Sequence, residues 1–286
     1  MLTVIQVALT GLLTGFAYAL IAAGLNFIYG IMGLINFSHG ASLMLSMYFA
    51  YWAWALFGID PIFMIPINAL LLAVIGVGIY KGGARRVINS SFLSQAVLTF
   101  GIASLFVSGA QFLWETNFRL VDAQILEGGI TVGPFEFGLP HLGASVVCAL
   151  AFGILYWFIN KTEMGRVIQA VSEDRQAAAL MGIDTERVFT LGWAIGLACV
   201  GVAGAVVTTF FPVFPTVGDR FVLYSFVAVV LGGFGSVSGA FIGGLVVGII
   251  ENVAGVFVLP AMKMAIVYAL FFITLLVRPM GLFGRY

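Results

Sequence analysis

Charge is what this sequence has least of. Asp, Glu, Lys and Arg make up 8% of its 286 residues, against about 25% in soluble domains. None of them occurs before Asp60. With 62% hydrophobic residues and a mean hydropathy of +1.14, the chain cannot cover its own surface with polar groups. That excludes a water-soluble globule and points to a bilayer. The 12 basic and 12 acidic residues cancel, so nothing supports binding to nucleic acid. The two cysteines, Cys148 and Cys199, lie inside apolar runs. They read as packing residues, and neither a disulfide nor a metal site is expected. No Gly-Lys-Ser or Gly-Lys-Thr occurs, which excludes a phosphate loop. The N-terminus lacks the basic start of a signal peptide, so its apolar run reads as a retained helix.

What is present is a series of apolar runs long enough to span a membrane. They lie at about 4–24, 41–57, 61–80, 91–114, 141–160, 187–211, 238–257 and 260–278. Two shorter apolar pieces, about 25–37 and 219–233, each end in a Gly-rich polar turn. The expected fold is an all-α polytopic membrane bundle of about eight spanning helices and two short broken or re-entrant ones, forming a single domain over 1–286. The 36 glycines suit helices that approach closely in lipid.

Orientation follows Lys and Arg. Lys81, Arg85 and Arg86 cluster in one loop; Lys161, Arg166, Arg175 and Arg187 lie in a second, and Arg278 and Arg285 near the C-terminus. If these face the cytoplasm, the 115–140 loop faces out, and counting crossings backwards puts both termini inside. The count requires both short pieces to cross most of the bilayer. Residues 4–80 and 187–285 share one order: long helix, broken piece, helix, helix, basic end. Gly33 and Gly40 also match the spacing of Gly232 and Gly239. These features suggest a parallel internal repeat.

Irregular backbone at membrane depth survives only when buried in protein or lining a wet cavity. The break at Gly33–Gly40 makes Asn36, Ser38 and His39 candidates for a translocation path, with helix capping by Asn36 or Ser38 as the other reading. Gly232, Gly235 and Ser236 are the corresponding candidates in the second break, with packing as the alternative for the glycines. Intramembrane charges also need reasons. Glu251 and Lys263 flank a tight turn near Val258-Leu259-Pro260, which predicts a structural ion pair between them. An ion-coupled carboxylate at Glu251 is the competing reading. Asp219 and Arg220 are expected at a membrane interface.

Residues 161–187 form the one charged island, with nine of the 24 charged residues. Ser172 is placed to cap a helix from Glu173 to Met181 that Gly182 stops. Ala177, Leu180 and Met181 form an apolar strip beside Ala178 and Ala179. A helix this short is unstable alone, so it suits a groove on another protein. Its mixed charge argues against a lipid-surface helix.

The run Glu173-Asp174-Arg175-Gln176-Ala177-Ala178-Ala179-Leu180-Met181-Gly182-Ile183-Asp184 resembles the coupling loop of ABC-importer permeases, most of all the branched-chain amino acid permease family. Three further runs resemble the same family: Tyr29–Gly40, Val230–Ser236 and Arg278–Gly284. The likeness extends nearly end to end, and the short N-terminus resembles the shorter of two paired permease subunits. It implies a type II importer-like fold in a bacterial inner membrane. Two ATPase subunits would hold ATP and Mg and grip the coupling residues, namely Glu173, Asp174, Arg175, Ala177, Ala178, Leu180, Met181 and Gly182. A second permease subunit, identical or homologous, would complete the path. An extracytoplasmic binding protein would deliver a branched-chain or related amino acid; the family also includes permeases for urea, short amides and other small solutes. No cofactor and no enzymatic activity are expected on this chain. A passive solute channel would have no use for the capped island.

Overall fold

The structure, a computed structural model, describes residues 2–122, 125–258, 262–278 and 280–283. It is an all-α bundle because in lipid a helix satisfies its backbone hydrogen bonds internally. The first helix, α1, spans Leu2–Met32, and α2 spans His39–Phe57. Gly58 ends α2 at φ 66°, a left-handed conformation that glycine adopts at no steric cost. Asp60 caps α3 (Pro61–Ile79) by accepting from Ile62 N at 3.0 Å, with Pro61 in the first turn. A π-helical turn (Tyr80–Ala84) and α4 (Arg85–Val87) extend α3, and α5 covers Phe92–Trp114. An exposed hairpin of β1 (Gly129–Val132) and β2 (Phe135–Gly138) leads into α6 (Leu139–Lys161). The island holds α7 (Glu163–Glu173) and α8 (Arg175–Leu180). Then follow α9 (Thr185–Val207), α10 (Val217–Gly232), α11 (Val237–Phe257) and α12 (Lys263–Val277).

Among the described residues, seven helices are long and apolar enough to cross a membrane: α1, α2, α3 with its extension to Val87, α5, α6, α9 and α11. Two shorter ones, α10 and α12, have 16 and 15 residues. The expected short piece at 25–37 is not a separate element. Residues 25–32 continue α1 without interruption, and only Gly33–Ser38 is non-helical. Asn26 did not break the helix because its side chain bonds outward, to another segment.

Close glycine contacts fix the helix directions. A Cβ on Gly24 would meet Gly196 O at 2.6 Å, and one on Gly192 would meet Ile31 Cδ1 at 3.0 Å, so α1 and α9 run antiparallel. Gly11 faces Gly248 and Gly15 faces Leu245, so α1 also opposes α11. Gly201 faces Asn68 and Gly76 faces Trp193, so α3 opposes α9. The C-terminal end of α1 therefore lies at the island end of the bundle. Its N-terminal end lies with the hairpin, where Gln6 Oε1 accepts from Glu136 N at 3.1 Å. The N-terminus and the island occupy opposite faces, which corrects the expectation that both are cytoplasmic. Because residues 25–32 belong to α1, one expected crossing disappears.

The same directions correct the repeat. The units α1–α2–α3–α5 and α9–α10–α11–α12 are related by inversion rather than in parallel. α1 packs on α11 as α9 packs on α3, and α2 meets α10 at the centre. The matching breaks are Gly33–Ser38 and the 208–216 segment, each between a long helix and a helix that starts inside the bundle. At that start, Gly40 of α2 and Gly218 of α10 abut backbone to backbone; a Cβ on either would fall within the other's carbonyl. Gly218→Ala is expected to destabilise the bundle by about 3 kcal/mol or more, the upper end of overpacking costs. Thermal unfolding in detergent reads this, and an unchanged midpoint refutes the contact.

Candidate functional site

The island's geometry differs from the sequence reading at its start and agrees at its end. Ser172 does not cap: its hydroxyl donates to Gln169 O at 2.8 Å. Asp174 is the cap, its Oδ1 accepting from Gln176 N and Ala177 N, each at 2.9 Å. Glu173 instead closes α7, a helix the sequence reading missed. The signal was present: Thr162 accepts from Gly165 N at 3.0 Å as a cap, and Ile168 and Val171 supply a buried face. Gly182 is the stop, at φ 83°, with Gly182 N bonded to Ala179 O at 3.0 Å and Ile183 N to Ala178 O at 3.1 Å. Together these bonds close the last turn of α8.

The short helix is fixed to its surroundings by charge. Arg175 donates to Asn89 Oδ1 at 2.8 Å and lies over the Phe189 ring at 4.7 Å. Arg85 pairs with Glu186 at 2.7 Å, so the 81–90 loop and the island share one face. Between them lies a groove of about 450 Å³ lined by Asn89, Arg175, Gln176, Ala179 and Thr185. Ala178 turns inward at 5% exposure, whereas Leu180 and Met181 project outward at 88% and 83%. The pair at the C-terminal end of α8, and not Ala178, supplies its exposed large apolar side chains.

The first break is held from within. Asn36 Oδ1 accepts from Ser38 N at 3.0 Å and Ser38 Oγ at 2.6 Å, and His39 Nε2 bonds Ile21 O at 3.0 Å. Asn36, Ser38 and His39 have no exposed surface in this structure, where these bonds support the break. Neither Asn36 nor Ser38 caps α2 through its side chain. The second break is held by a residue the sequence reading passed over. Asn26 donates to Ser236 O at 2.7 Å and Gly233 O at 3.1 Å, and accepts from Gly235 N at 2.8 Å. Its signal was a lone amide inside an apolar run, which needs partners at that depth. Ser236 caps α11 through Gly239 N at 3.2 Å. Gly232 is buried against Gly239, while Gly235 is exposed. Leu282 N bonds Leu231 O at 2.8 Å and Phe283 N bonds Gly232 O at 3.1 Å. With Tyr29 against the Phe234 ring at 4.7 Å and Gly30 against Gly235, three of the four family-like runs meet at the island end of the bundle. Asn26→Ala strands two carbonyls and one amide, and is expected to cost about 1–3 kcal/mol. A thermal midpoint equal to wild type would refute this.

Glu251 does not pair with Lys263. Its carboxylate takes the Arg220 guanidinium and accepts from Tyr18 Oη at 2.8 Å. Lys263 lies instead along Gly255. Arg220 reaches Glu251 because α10 begins inside the bundle rather than at an interface. Of the turn expected there, Leu259 and Pro260 lie outside the described residues, as does Arg285. Cys148 and Cys199 are free and buried. Among the described residues no group of His, Cys, Asp and Glu could hold a metal.

Comparison with known proteins agrees with this architecture. The family described as "Branched-chain amino acid transport system / permease component" matches residues 7–275. The high-affinity branched-chain amino acid transport system permease protein LivH of Salmonella typhimurium is 34% identical, over 98% of this chain and 96% of its own length. BraD of Pseudomonas aeruginosa, of the same description, is 29% identical over 98% and 96%. The ribose import permease protein RbsC of Haemophilus influenzae is 29% identical over 82% of this chain and 72% of its own length.

Proposed function

The chain belongs to the permease family of branched-chain amino acid transport systems, and on that premise we propose that it moves branched-chain or related amino acids inward as one permease subunit of an ATP-driven importer. The observation that carries the coupling is the outward pair Leu180 and Met181, on a helix capped by Asp174 and stopped by Gly182. Two adjacent apolar side chains on a charged loop suit the groove of a partner. That partner is an ATPase subunit, one per permease, holding ATP and Mg. With the island facing the cytoplasm, Arg85, Arg86 and Arg278 lie on the same side. The N-terminus and the hairpin then face outward, toward an extracytoplasmic binding protein. A second permease subunit, identical or homologous, completes the path. Asn36, Ser38, His39, Asn26 and Ser236 hold the broken backbone beside it.

The test is uptake by proteoliposomes holding the permease pair, the ATPase pair and the binding protein. Leucine, isoleucine and valine are expected to enter only with ATP inside, the side on which the ATPase sits. Uptake of ribose or urea in their place reassigns the cargo. Uptake indifferent to ATP refutes the importer.

A further inference from the structure

Asp219 and Arg220 lie where a lone charge cannot face lipid. Gly218, one residue before them, abuts Gly40. From that contact α10 runs to Gly232 and α2 to Phe57, about 21 Å and 25 Å at 1.5 Å per residue. The two charges therefore sit near the middle of a hydrocarbon core about 30 Å thick. Yet Thr216 and Asp219 are exposed, and the Arg220 side chain is 33% exposed. Asp219 has no ion-pair partner among the described residues. Charge exposed at that depth belongs to a wet cavity and not to a lipid face.

We propose that Asp219 and Arg220 line the path and receive the two charged groups of a passing α-amino acid. The proposal rests on the transport reading above. Asp219, which has no cation of its own, takes the ammonium group. Arg220 takes the carboxylate: Glu251 engages its Nη2, while its Nε is buried without a partner. The guanidinium can thus be neutralised on one edge and offered on the other. The Tyr224 hydroxyl, in a fully buried side chain beside it, also lacks a partner. Opposite charges on neighbouring residues match a zwitterion. A sugar would call for neutral amides and hydroxyls instead. The side chain of the amino acid is left unread by this pair, so one head-group site serves several cargoes.

The complete complex tests this, with Cys148 and Cys199 replaced by alanine and one cysteine introduced at a time. Thr216→Cys and Asp219→Cys are expected to react with a charged, membrane-impermeant methanethiosulfonate. Saturating leucine slows the reaction of Thr216→Cys, which keeps Asp219, at least fivefold. Leu150→Cys, at an exposed apolar position, stays unlabelled. In parallel, Asp219→Asn is expected to cut leucine uptake at least tenfold, with Asp219→Glu restoring part of it. Labelling at 216 and 219 no faster than at 150, or labelling at 216 without protection by leucine, overturns the proposal. So does Asp219→Asn with wild-type uptake. A wild-type complex that imports no amino acid instead overturns the transport reading itself.

Discussion

Glu251→Ala is expected to lower the stability of the bundle by about 3–5 kcal/mol, the cost of removing one member of a buried ion pair. Glu251 is 4% exposed at its side chain and carries two bonds, one from Arg220 and one from Tyr18 Oη at 2.8 Å. Without it, Arg220 keeps its charge at membrane depth and loses its counter-ion, and the fully packed Tyr18 loses its acceptor. Arg220 is only 33% exposed and is held between Phe211 and Tyr224 at 5.3 Å and 5.5 Å, so water in the path replaces the lost carboxylate only in part. Glu251→Gln retains an acceptor for Tyr18 and removes only the charge, so it is expected to fall between wild type and alanine. Replacing both partners by methionine recovers most of the loss, because apolar residues do not need the counter-charge. Thermal unfolding of the purified subunit in detergent separates the four proteins. An alanine variant that melts with wild type would show that the pair does not hold α10 to α11. The reading of Glu251 as an ion-coupled carboxylate makes a different prediction: Glu251→Gln would abolish uptake without loss of stability.

Glu251 and its partner mark where the sequence is legible and where it is not. The apolar runs defined most helices, since their lengths follow from bilayer thickness alone. The stop at Gly182 was legible because a left-handed residue there favours glycine. What hydropathy does not contain is direction. Residues 25–32 are apolar whether they end one helix or begin another. Which of the two they do sets the parity of everything before them. That parity decides which face holds the N-terminus and whether the repeat is parallel or inverted. It did not affect Arg220, which was misplaced for a second reason. The 208–216 segment turns back toward the core, tied to the outer loop by Arg119 N to Val213 O at 3.0 Å and the reverse bond at 2.8 Å. Nothing in the composition of 208–216 says that the chain re-enters there. Once it does, Arg220 is within reach of Glu251 and Lys263 is not. Likewise Ser172 was a plausible cap by residue type, but Thr162 had already started α7, and Asp174 stood at its end.

Replacing Leu180 and Met181 together by aspartate is expected to release the ATPase and abolish uptake. Both side chains project from α8 at 88% and 83% exposure, so the change touches nothing that holds the permease together. Its thermal midpoint should match wild type, as surface substitutions do to within about 0.5 kcal/mol. If the pair anchors the dock at about 2 kcal/mol per side chain, the double change weakens docking on the order of 1000-fold. Ala178→Arg is a poorer probe. Ala178 is 5% exposed, and an arginine there would dislodge α8 and so confuse a folding defect with a docking defect. Gly182→Pro fails differently, because proline cannot adopt the φ of 83° found there. It would melt the stop while leaving Leu180 and Met181 in the chain. Comparing the aspartate pair with Gly182→Pro therefore asks whether the partner reads the side chains or the shape that presents them. Loss of co-purification and uptake in both says it reads the presented pair. Loss in the aspartate pair alone says the side chains suffice on a disordered loop. Normal association and uptake in the aspartate pair would move the dock elsewhere on the face, to the groove between Asn89 and Thr185.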